Sequence, residues 1–327
     1  MVRPLMFCVL LGLTGTGCGA AGGPHGGGDN LPSTQSHPFS VDEEFRLSLS
    51  GTDLRSPSLV VGEEGSTWVY LVETKDDQSR VSRVRLEPDT TELDESLREE
   101  LLLEGVPWVQ SAPFLLEVHP LDEGYLAAFS NPSVQGIQFA TSQDGIQWNL
   151  DDTRGPIIAP EGLPRGFSSH FSEQGLKIWM VAENGKSVLY GQENQAESDW
   201  DWQELELPAG DHDGQRIPGL WEQDGISSCH IMTQQTETGR TLYRMWYGGI
   251  REAASGIEDG GIGFAGSWDG ELWVASPDGS TIYNAGFGEK DPFLWEFKGQ
   301  THLYYSRFWK KEGSNRHVIG RATLEAP

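Results

Sequence analysis

Two neighbouring stretches of the sequence decide the fold: residues 227–249, SSCHIMTQQTETGRTLYRMWYGG, and residues 261–273, GIGFAGSWDGELW. Residues 228–232, 242–247 and 261–265 predict three strands, and in the aromatic second one Tyr243, Met245 and Tyr247 alternate with Leu242, Arg244 and Trp246. The Asp-Gly pair at 269–270 is typical of a tight turn. A meander of short strands cannot bury both of its faces alone, so this unit should be one of a set.

The rest of the sequence contains four further units of the same kind. They occupy residues 56–86, 111–148, 166–202 and 290–323. With the unit beginning near 225, the starts recur at intervals of about 55 to 65 residues, a spacing that fits four-stranded propeller blades. The sequence therefore predicts an all-β fold, a five-bladed β-propeller with four-stranded antiparallel blades. A β-sandwich with coincidental spacing is the alternative.

Two segments outside the repeats also carry expectations. Residues 41–49 form a short apolar and charged strand candidate, which we expect to help close the ring with the C-terminal blade. The acidic stretch 87–103, EPDTTELDESLREELLL, is either a short helix or an excursion at a blade edge, with its charges in solvent.

Composition limits the classes of partner. The 327 residues include 41 Gly and 12 Trp, and the net charge is −26. An acidic surface repels nucleic-acid phosphates and anionic lipid head groups, so we expect neither as a ligand. No HExxH, GxSxG, P-loop or CxxC pair occurs, and we expect no cofactor, no metal and a monomer.

The N-terminus is typical of an exported bacterial protein. Residues 1–17 carry one arginine, an apolar run and small residues, which predicts a signal peptide. The sequence Gly15-Thr16-Gly17-Cys18 resembles a lipoprotein lipobox, which implies lipidation of Cys18; an ordinary secretory signal is the alternative. Residues 18–40 would then be a flexible Gly/Pro/Ser tether and residues 41–327 the propeller, in the cell envelope and anchored by lipid alone.

Cysteine usage agrees with this organisation. Cys8 lies in the predicted leader and Cys18 at the predicted lipid site, so Cys229 alone is left in the mature chain and no intrachain disulfide can form. Cys229 sits in an apolar strand, and we interpret it as a small buried hydrophobe rather than a nucleophile.

Several blade strings resemble those of a known superfamily. Residues 140–148, ATSQDGIQW, and 263–273, GFAGSWDGELW, look like the blade endings of five-bladed glycoside hydrolases such as arabinanases, β-xylosidases, invertases and levansucrases. Residues 243–249, YRMWYGG, and the pair Asp291-Pro292 are similar as well. The resemblance covers roughly residues 54–323. We interpret both Asp-Gly strings as structural turns whose Trp packs on a neighbouring blade.

The resemblance implies a carboxylate set that this sequence does not carry at the matching positions. It implies an Asp in the first blade as base or nucleophile, an Asp in the second as modulator, and a Glu in the third as acid. The blade starts instead hold Ser56, the acid-free residues 111–113, residues 168–170 (SSH) and residues 227–229 (SSC); Asp291 alone keeps the Asp-Pro form. A standard glycosidase is therefore not expected.

A second ring of carboxylates could substitute. Glu73 and Glu183 end the second strands of blades one and three, so both could face one end of the channel with Asp291. We predict Glu73, Glu183 and Asp291 as candidate catalytic groups, and His170, Arg307, Ser169 and Ser228 as candidate substrate-binding residues. The alternatives are that Glu73 and Glu183 are solvent-exposed rim residues, that Asp291 caps a turn, and that His170 is an internally satisfied histidine or holds a central cation.

Three functions remain open from the sequence, and whether the protein is an enzyme is not decided. The first is a tethered propeller that binds or processes carbohydrate at its central funnel, with its catalytic acids largely missing from the usual positions. The second is an active glycoside hydrolase using Glu183 and Asp291. The third is a non-catalytic scaffold that recognises a protein with its blade rim.

Overall fold

A computed structural model describes most of the chain beyond the predicted leader and tether. The described residues are 39–43, 45–49, 51–62, 65–76, 78–86, 93–104, 106–107, 115–158, 162–172, 175–194, 199–206, 225–252, 258–275, 282–283, 289–297, 299–311 and 314–324. The predicted signal peptide, Cys18 and nearly all of the tether lie outside these ranges. Within them, no helix has the length and apolar character needed to cross a membrane.

The strands form five sheets, each of which is one blade built on four antiparallel strands, and the propeller prediction is confirmed. The first strand of the chain is β1 (Phe39–Val41). Blade one contains β2 (Asp53–Val61), β3 (Thr67–Lys75), β4 (Gln78–Leu86) and β5 (Arg98–Glu100), with a 3₁₀ turn over Glu95–Leu97 before β5. Blade two contains β6 (Leu102–Leu103), β7 (Val106–Pro107), β8 (Leu116–Pro120), β9 (Tyr125–Asn131), β10 (Gly136–Ser142) and β11 (Gln147–Leu150).

The other three blades follow in chain order. Blade three contains β12 (Gly166–Ser172), β13 (Gly175–Val181), β14 (Ser187–Asn194) and β15 (Asp199–Glu206). Blade four contains β16 (Gly225–Gln235), β17 (Thr241–Glu252), β18 (Glu258–Asp259), β19 (Gly261–Ser267), β20 (Val274–Ala275) and β21 (Ile282–Tyr283). Blade five contains β22 (Lys290–Phe297), β23 (Gln300–Lys311) and β24 (Ser314–Leu324).

The N-terminal strand completes the last blade. Strand β1 pairs with β24, with Phe39 opposite Leu324, and a single bridge joins Leu47 to Ile319. The expectation that the N-terminal segment closes the ring is confirmed, although the paired strand begins at Phe39 rather than at residue 41. The expected boundary between tether and propeller, after residue 40, thus falls within β1.

The acidic stretch 87–103 links the first two blades. Its described part forms the 3₁₀ turn, the outer strand β5 and the short strand β6. Strand β6 runs parallel to β11 of blade two, with Leu102 opposite Gln147. The chain therefore crosses to the next blade along that blade's outer edge, which is the blade-edge excursion considered from the sequence.

The hydrophobic core is divided among the five blade interfaces. Each of five clusters of buried side chains joins one blade to the next, and the cluster between blades five and one includes Phe45, Leu71 and Ile319. A blade buries both of its faces, which explains near-continuous apolar runs such as WVYLV (residues 68–72) in place of strict alternation. Removing this apolar surface from water is the main stabilising contribution, at about 25 cal/mol per Å².

The two Asp-Gly strings form the same turn and both join neighbouring blades. In the first, Ile146 and Gln147 donate their backbone N–H groups to Asp144 Oδ1, each at 2.8 Å. Gly145 has a φ of 74°, which a side chain would strain, and its carbonyl accepts hydrogen bonds from Trp148 in its own blade and Tyr70 in blade one.

The second turn repeats this arrangement two blade interfaces later, between blades three and four. Glu271 and Leu272 donate to Asp269 Oδ1 at 2.8 and 2.9 Å, and Gly270 has a φ of 85°. The Gly270 carbonyl accepts from Trp273 of its own blade and from Trp179 of blade three. The prediction that both strings are structural turns with a tryptophan at a blade interface is confirmed.

Candidate functional site

The five innermost strands, β2, β8, β12, β16 and β22, surround a narrow central cavity. All five blades line it, through Ser56, Pro57, Leu115, Leu116, Glu117, Gly166, Phe167, Ser228, Cys229, Asp291, Pro292 and Phe293. Its volume is about 30 Å³, close to that of one water molecule. We call the end at which these five strands begin the mouth of the channel. A pyranose ring does not fit inside this cavity, so a sugar could bind only at the mouth.

Serine hydroxyls of the innermost strands join three pairs of neighbouring blades. Val118 of blade two donates its backbone N–H to Ser58 Oγ of blade one at 2.9 Å. Ile231 donates to Ser168 Oγ at 3.0 Å between blades four and three. Asp291 likewise donates its N–H to Ser228 Oγ at 2.9 Å between blades five and four. These side chains therefore satisfy backbone groups that would otherwise be buried without a partner.

Glu117 replaces a serine hydroxyl at the junction of blades two and three. Its Oε2 atom accepts hydrogen bonds from the backbone N–H and the hydroxyl of Ser169, both at 2.7 Å. Two imidazoles flank the carboxylate: His119 Nε2 lies 3.6 Å from Oε2, and His230 Nδ1 lies 3.5 Å from Oε1. The side chain of Glu117 is 6 % exposed.

The environment keeps Glu117 ionised despite this burial. Burial alone would raise the pKa of its carboxyl, but the neighbouring imidazoles of His119 and His230 favour the charged form, outweigh the effect of burial and lower the pKa to about 2. An ionised carboxylate accepts hydrogen bonds but has no proton to give. Glu117 can therefore act as an anion, a base or a ligand for a cation, but not as a general acid near neutral pH.

Two lining residues hold an unusual backbone conformation. Ser56 and Asp291 have φ values of 47° and 51°, in the left-handed region that non-glycine residues rarely adopt. Each occupies an irregularity in strand pairing, between Arg55 and Ser58 in β2 and between Lys290 and Phe293 in β22. Such strain costs of order 1 kcal/mol per residue and is concentrated at functional sites.

The structure brings some of the predicted site residues to the channel. Asp291 and Ser228 line the cavity and hydrogen-bond to each other through the Asp291 N–H. Ser169 binds Glu117 and also lies 2.8 Å from His119 Nε2. His170 follows Ser169 on β12; burial first, and then the positive charges of His119 and Lys177, lower the pKa of its imidazole.

Other predicted residues lie away from the cavity. Glu73 is buried in β3 of blade one, where Arg80 and Arg98 each donate to its carboxylate at 2.7 Å and Ser82 donates as well. It stabilises its own blade and does not line the channel. The expectation that both acids face one end of the channel is therefore not met for Glu73, whereas Glu183 is exposed in the turn after β13, where its carbonyl accepts from Arg165.

Arg307 also has a structural environment. It lies in β23, the second strand of blade five, and is 3 % exposed. Its guanidinium donates to the carbonyl of Phe45 at 3.3 Å and lies 5.3 Å from the ring centre of Trp309. It is not among the residues that line the cavity. The residue therefore ties the N-terminal segment to the last blade.

Cys229 is buried as expected. Its side chain is 4 % exposed, and burial, followed by the negative charge of Glu117, raises the pKa of its thiol. The protonated thiol lies 3.9 Å from the carbonyl oxygen of Trp179. A buried neutral thiol is a poor nucleophile, in agreement with its interpretation as a small hydrophobe.

Sequence reasoning missed Glu117, His119 and His230. It placed the start of blade two at residues 111–113 and found no acid there, whereas the innermost strand begins at Leu116 and carries Glu117 into the cavity. The sequence did contain a signal, LLEVH at residues 115–119, in which Glu117 and His119 are two residues apart and so lie on one face of an apolar strand. Within the described ranges, no group of three or more His, Cys, Asp or Glu side chains is arranged to hold a metal ion.

Comparisons with known proteins agree on the fold. No family model matches this chain, and no curated protein matches it. Among solved structures, a thermostable family-43 glycoside hydrolase superposes with a TM-score of 0.58 at 13 % identity, covering 84 % of this chain and 94 % of its own. A β-xylosidase gives 0.60 at 12 % identity, covering 85 % and 94 %.

A third solved structure also has a similar fold. A mutant α-L-arabinanase from Cellvibrio cellulosa gives a TM-score of 0.54 at 9 % identity, covering 84 % of this chain and 92 % of its own. The five-bladed fold resembles that of these glycoside hydrolases, as the sequence motifs indicated. Identities this low establish the fold alone, and function must be argued from the site.

Proposed function

We propose that this protein binds a carbohydrate at the mouth of its central channel and does not hydrolyse it. The observation that carries the proposal is the set of contacts at Glu117: the buried carboxyl is held by Ser169, His119 and His230, which come from three blades. Glycoside hydrolysis needs two carboxyl groups about 5 to 10 Å apart, of which one donates a proton. Glu117 cannot be that donor.

The position of the other carboxyl groups supports the same conclusion. Asp291 lies at the mouth in a strained bulge, suited to accepting hydrogen bonds from sugar hydroxyls. Glu183, the acid of the alternative glycosidase, is exposed in the turn after β13, beside Arg165, and is not part of the buried set around Glu117.

Carbohydrate is the ligand class that the fold relatives favour. Solved structures similar to this chain include enzymes named for action on glycosides, and they share its five-bladed architecture. Ligands of such rings bind where the innermost strands begin or end, since the centre is filled. A site at this position that lacks the carboxylates expected of such enzymes is suited to binding a sugar without hydrolysing it.

A glycan array probed with the purified protein tests the proposal. Oligosaccharides that bind should then be incubated with the protein and assayed for new reducing ends, with the Glu183→Gln and Asp291→Asn variants in parallel. The proposal predicts binding that Asp291→Asn weakens, and no reducing ends from any variant. Hydrolysis that disappears in Glu183→Gln would establish the glycosidase instead.

We further propose that the propeller is exported and held at a membrane by a lipid on Cys18. The support is in the sequence: an apolar leader, the Gly15-Thr16-Gly17-Cys18 string and a tether rich in glycine up to residue 40. Incorporation of radiolabelled palmitate by the full chain, and its loss in Cys18→Ser, is the expected result. Equal labelling of both proteins, or labelling of neither, would contradict lipidation at Cys18.

A further inference from the structure

Positively charged residues lie at or near the start of three of the five innermost strands. Arg55 precedes Ser56, Arg165 precedes Gly166, and Lys290 precedes Asp291, and the second residue of each pair lines the cavity. We call Arg55, Arg165 and Lys290 the mouth cations. The chain has 23 Lys and Arg residues and 49 Asp and Glu residues. A positive charge at the same position of three blades is therefore unexpected in so acidic a protein.

Blades one and five repeat the arrangement most closely. Each presents a cation, then a residue in the left-handed conformation, then a proline: Arg55-Ser56-Pro57 and Lys290-Asp291-Pro292. These two blades are neighbours in the ring, with their shared core formed around Phe45 and Ile319. The repeated bulge therefore brings the two cations to one side of the mouth.

Arg55 is available to a ligand. It is half-buried, and no hydrogen bond or ion pair joins its guanidinium to a carboxylate among the residues that the structure describes. The nearest acid on its strand, Asp53, accepts a hydrogen bond from the backbone N–H of His317 at 2.6 Å. A half-buried arginine forms strong paired hydrogen bonds with a planar anion such as a carboxylate.

The charges around His317 are consistent with a locally positive site. His317 is on β24, beside the first residues of β2 and β22. Burial first, then the positive charges of Lys290 and Arg55, lower the pKa of its imidazole to about 4, although Asp53 and Asp291 act in the opposite direction. The two cations thus outweigh the two nearby carboxylates at this position.

We propose that the carbohydrate bound at the mouth is acidic, and that Arg55, with Lys290, binds its carboxylate or sulfate group. This inference rests on the proposed carbohydrate binding and adds the ligand's charge. The net charge of −26 does not prevent it, because charges more than about 8 Å away are largely screened at physiological ionic strength. Direct hydrogen bonds between the Arg55 guanidinium and the acidic group of the sugar therefore determine the affinity.

Isothermal titration of the purified protein with four defined sugars tests this. The probes are α-1,4-linked trigalacturonate, its neutral methyl ester, a monosulfated carrageenan disaccharide, and the cationic trimer of glucosamine. We expect one of the two acidic sugars to bind at least about tenfold more tightly than the neutral ester. The tighter of the two identifies the acidic group as carboxylate or sulfate.

Two matched variants test whether the tighter binding of an acidic sugar depends on Arg55 at the mouth. Arg55→Gln should weaken binding of the acidic sugar about tenfold and leave binding of the neutral ester unchanged. Arg240→Gln removes the same charge from an exposed position in the turn after β16, at the opposite end of the channel, and should change neither. Thermal unfolding of both variants by circular dichroism verifies that they remain folded.

The outcomes separate this inference from the broader proposal. Equal or tighter binding of the ester or the glucosamine trimer, or an equal effect of Arg55→Gln and Arg240→Gln, overturns acidic recognition while carbohydrate binding stands. Binding of no sugar, here and on the glycan array, overturns both.

Discussion

The Oε2 atom of Glu117 lies 2.7 Å from both the backbone nitrogen and the hydroxyl oxygen of Ser169, so blade three gives two hydrogen bonds to a carboxylate of blade two. His230 brings a third blade to the same group, 3.5 Å from Oε1. A buried carboxylate is stable only where such partners replace water. Glu117, the buried acid of the channel, therefore stabilises the ring of blades. We accordingly assign carbohydrate recognition to the mouth of the channel.

Replacing Glu117 with glutamine should destabilise the propeller. The change removes the charge that holds Ser169 and the two imidazoles while keeping the shape of the side chain. Because the pKa of Glu117 is lowered from 4.5 to about 2, we expect the free energy of unfolding at pH 7 to fall by about 3 kcal/mol. Urea denaturation measures it, and Glu123→Gln in the exposed turn after β8 is the control.

The same pair of proteins should differ in their response to acid. A lowered pKa means that the folded state holds the proton less tightly than the unfolded state, so this stabilisation is complete above about pH 5 and is lost as the pH falls towards 2. The stability difference between wild type and Glu117→Gln should therefore shrink through that range. A difference that is constant from pH 7 to pH 2.5 would show that the charge of Glu117 contributes nothing.

Removing the Ser58 hydroxyl should loosen the junction of blades one and two. In Ser58→Ala the Val118 N–H is left buried without its acceptor, which costs about 1 to 3 kcal/mol. Ser168→Ala should cost a similar amount, since Ile231 donates to Ser168 in the same way. Chemical denaturation measures both, with exposed Ser133→Ala as control. Losses no larger than the control's would refute the role of these hydroxyls.

The two Asp-Gly turns should respond alike to loss of their aspartate. Asp144→Ala and Asp269→Ala each remove the acceptor of two backbone N–H groups. We expect each to lower the free energy of unfolding by about 1 to 2 kcal/mol, as the loss of a helix cap does. The control is Asp122→Ala, in an exposed turn of blade two. Unequal effects of the two changes would contradict the structural equivalence of the turns.

Replacing Asp291 with glycine should weaken sugar binding without destabilising the fold. Glycine adopts a φ of 51° without strain, so the variant should be as stable as wild type or up to about 1 kcal/mol more stable, yet it should bind sugar more weakly. Asp76→Gly relieves the same φ in an exposed hairpin turn and should keep full binding. Calorimetric melting and sugar titration give both quantities. Unaltered binding by Asp291→Gly would remove Asp291 from the site.

The repeat pattern of the sequence was sufficient to predict the fold. Blade starts expected near 166, 225 and 290 agree with strands that begin at Gly166, Gly225 and Lys290. The Asp-Gly turns were also foreseen, because Asp and Gly have local reasons to occupy them. Such features depend on residues close together in the chain, and sequence patterns report those well.

The lining of the channel was predicted less well, since it depends on strand register. Pairing irregularities occur in β2, β16 and β22, and each shifts which side chains face the neighbouring blade. Sequence alternation alone does not place such shifts. Glu73 was assigned to the channel although Arg80 and Arg98 hold it within blade one, and Glu117 was overlooked because blade two was expected to begin five residues too early.

The most direct test of recognition without hydrolysis is to measure binding and turnover on the same oligosaccharide. The sugar that binds best on the array is titrated into the protein and then incubated with it at 37 °C, and reducing ends are counted by mass spectrometry. Our account predicts saturable binding, weakened in Asp291→Asn, with the sugar recovered intact. Cleavage products that accumulate with wild type and vanish with Asp291→Asn or Glu183→Gln would contradict it.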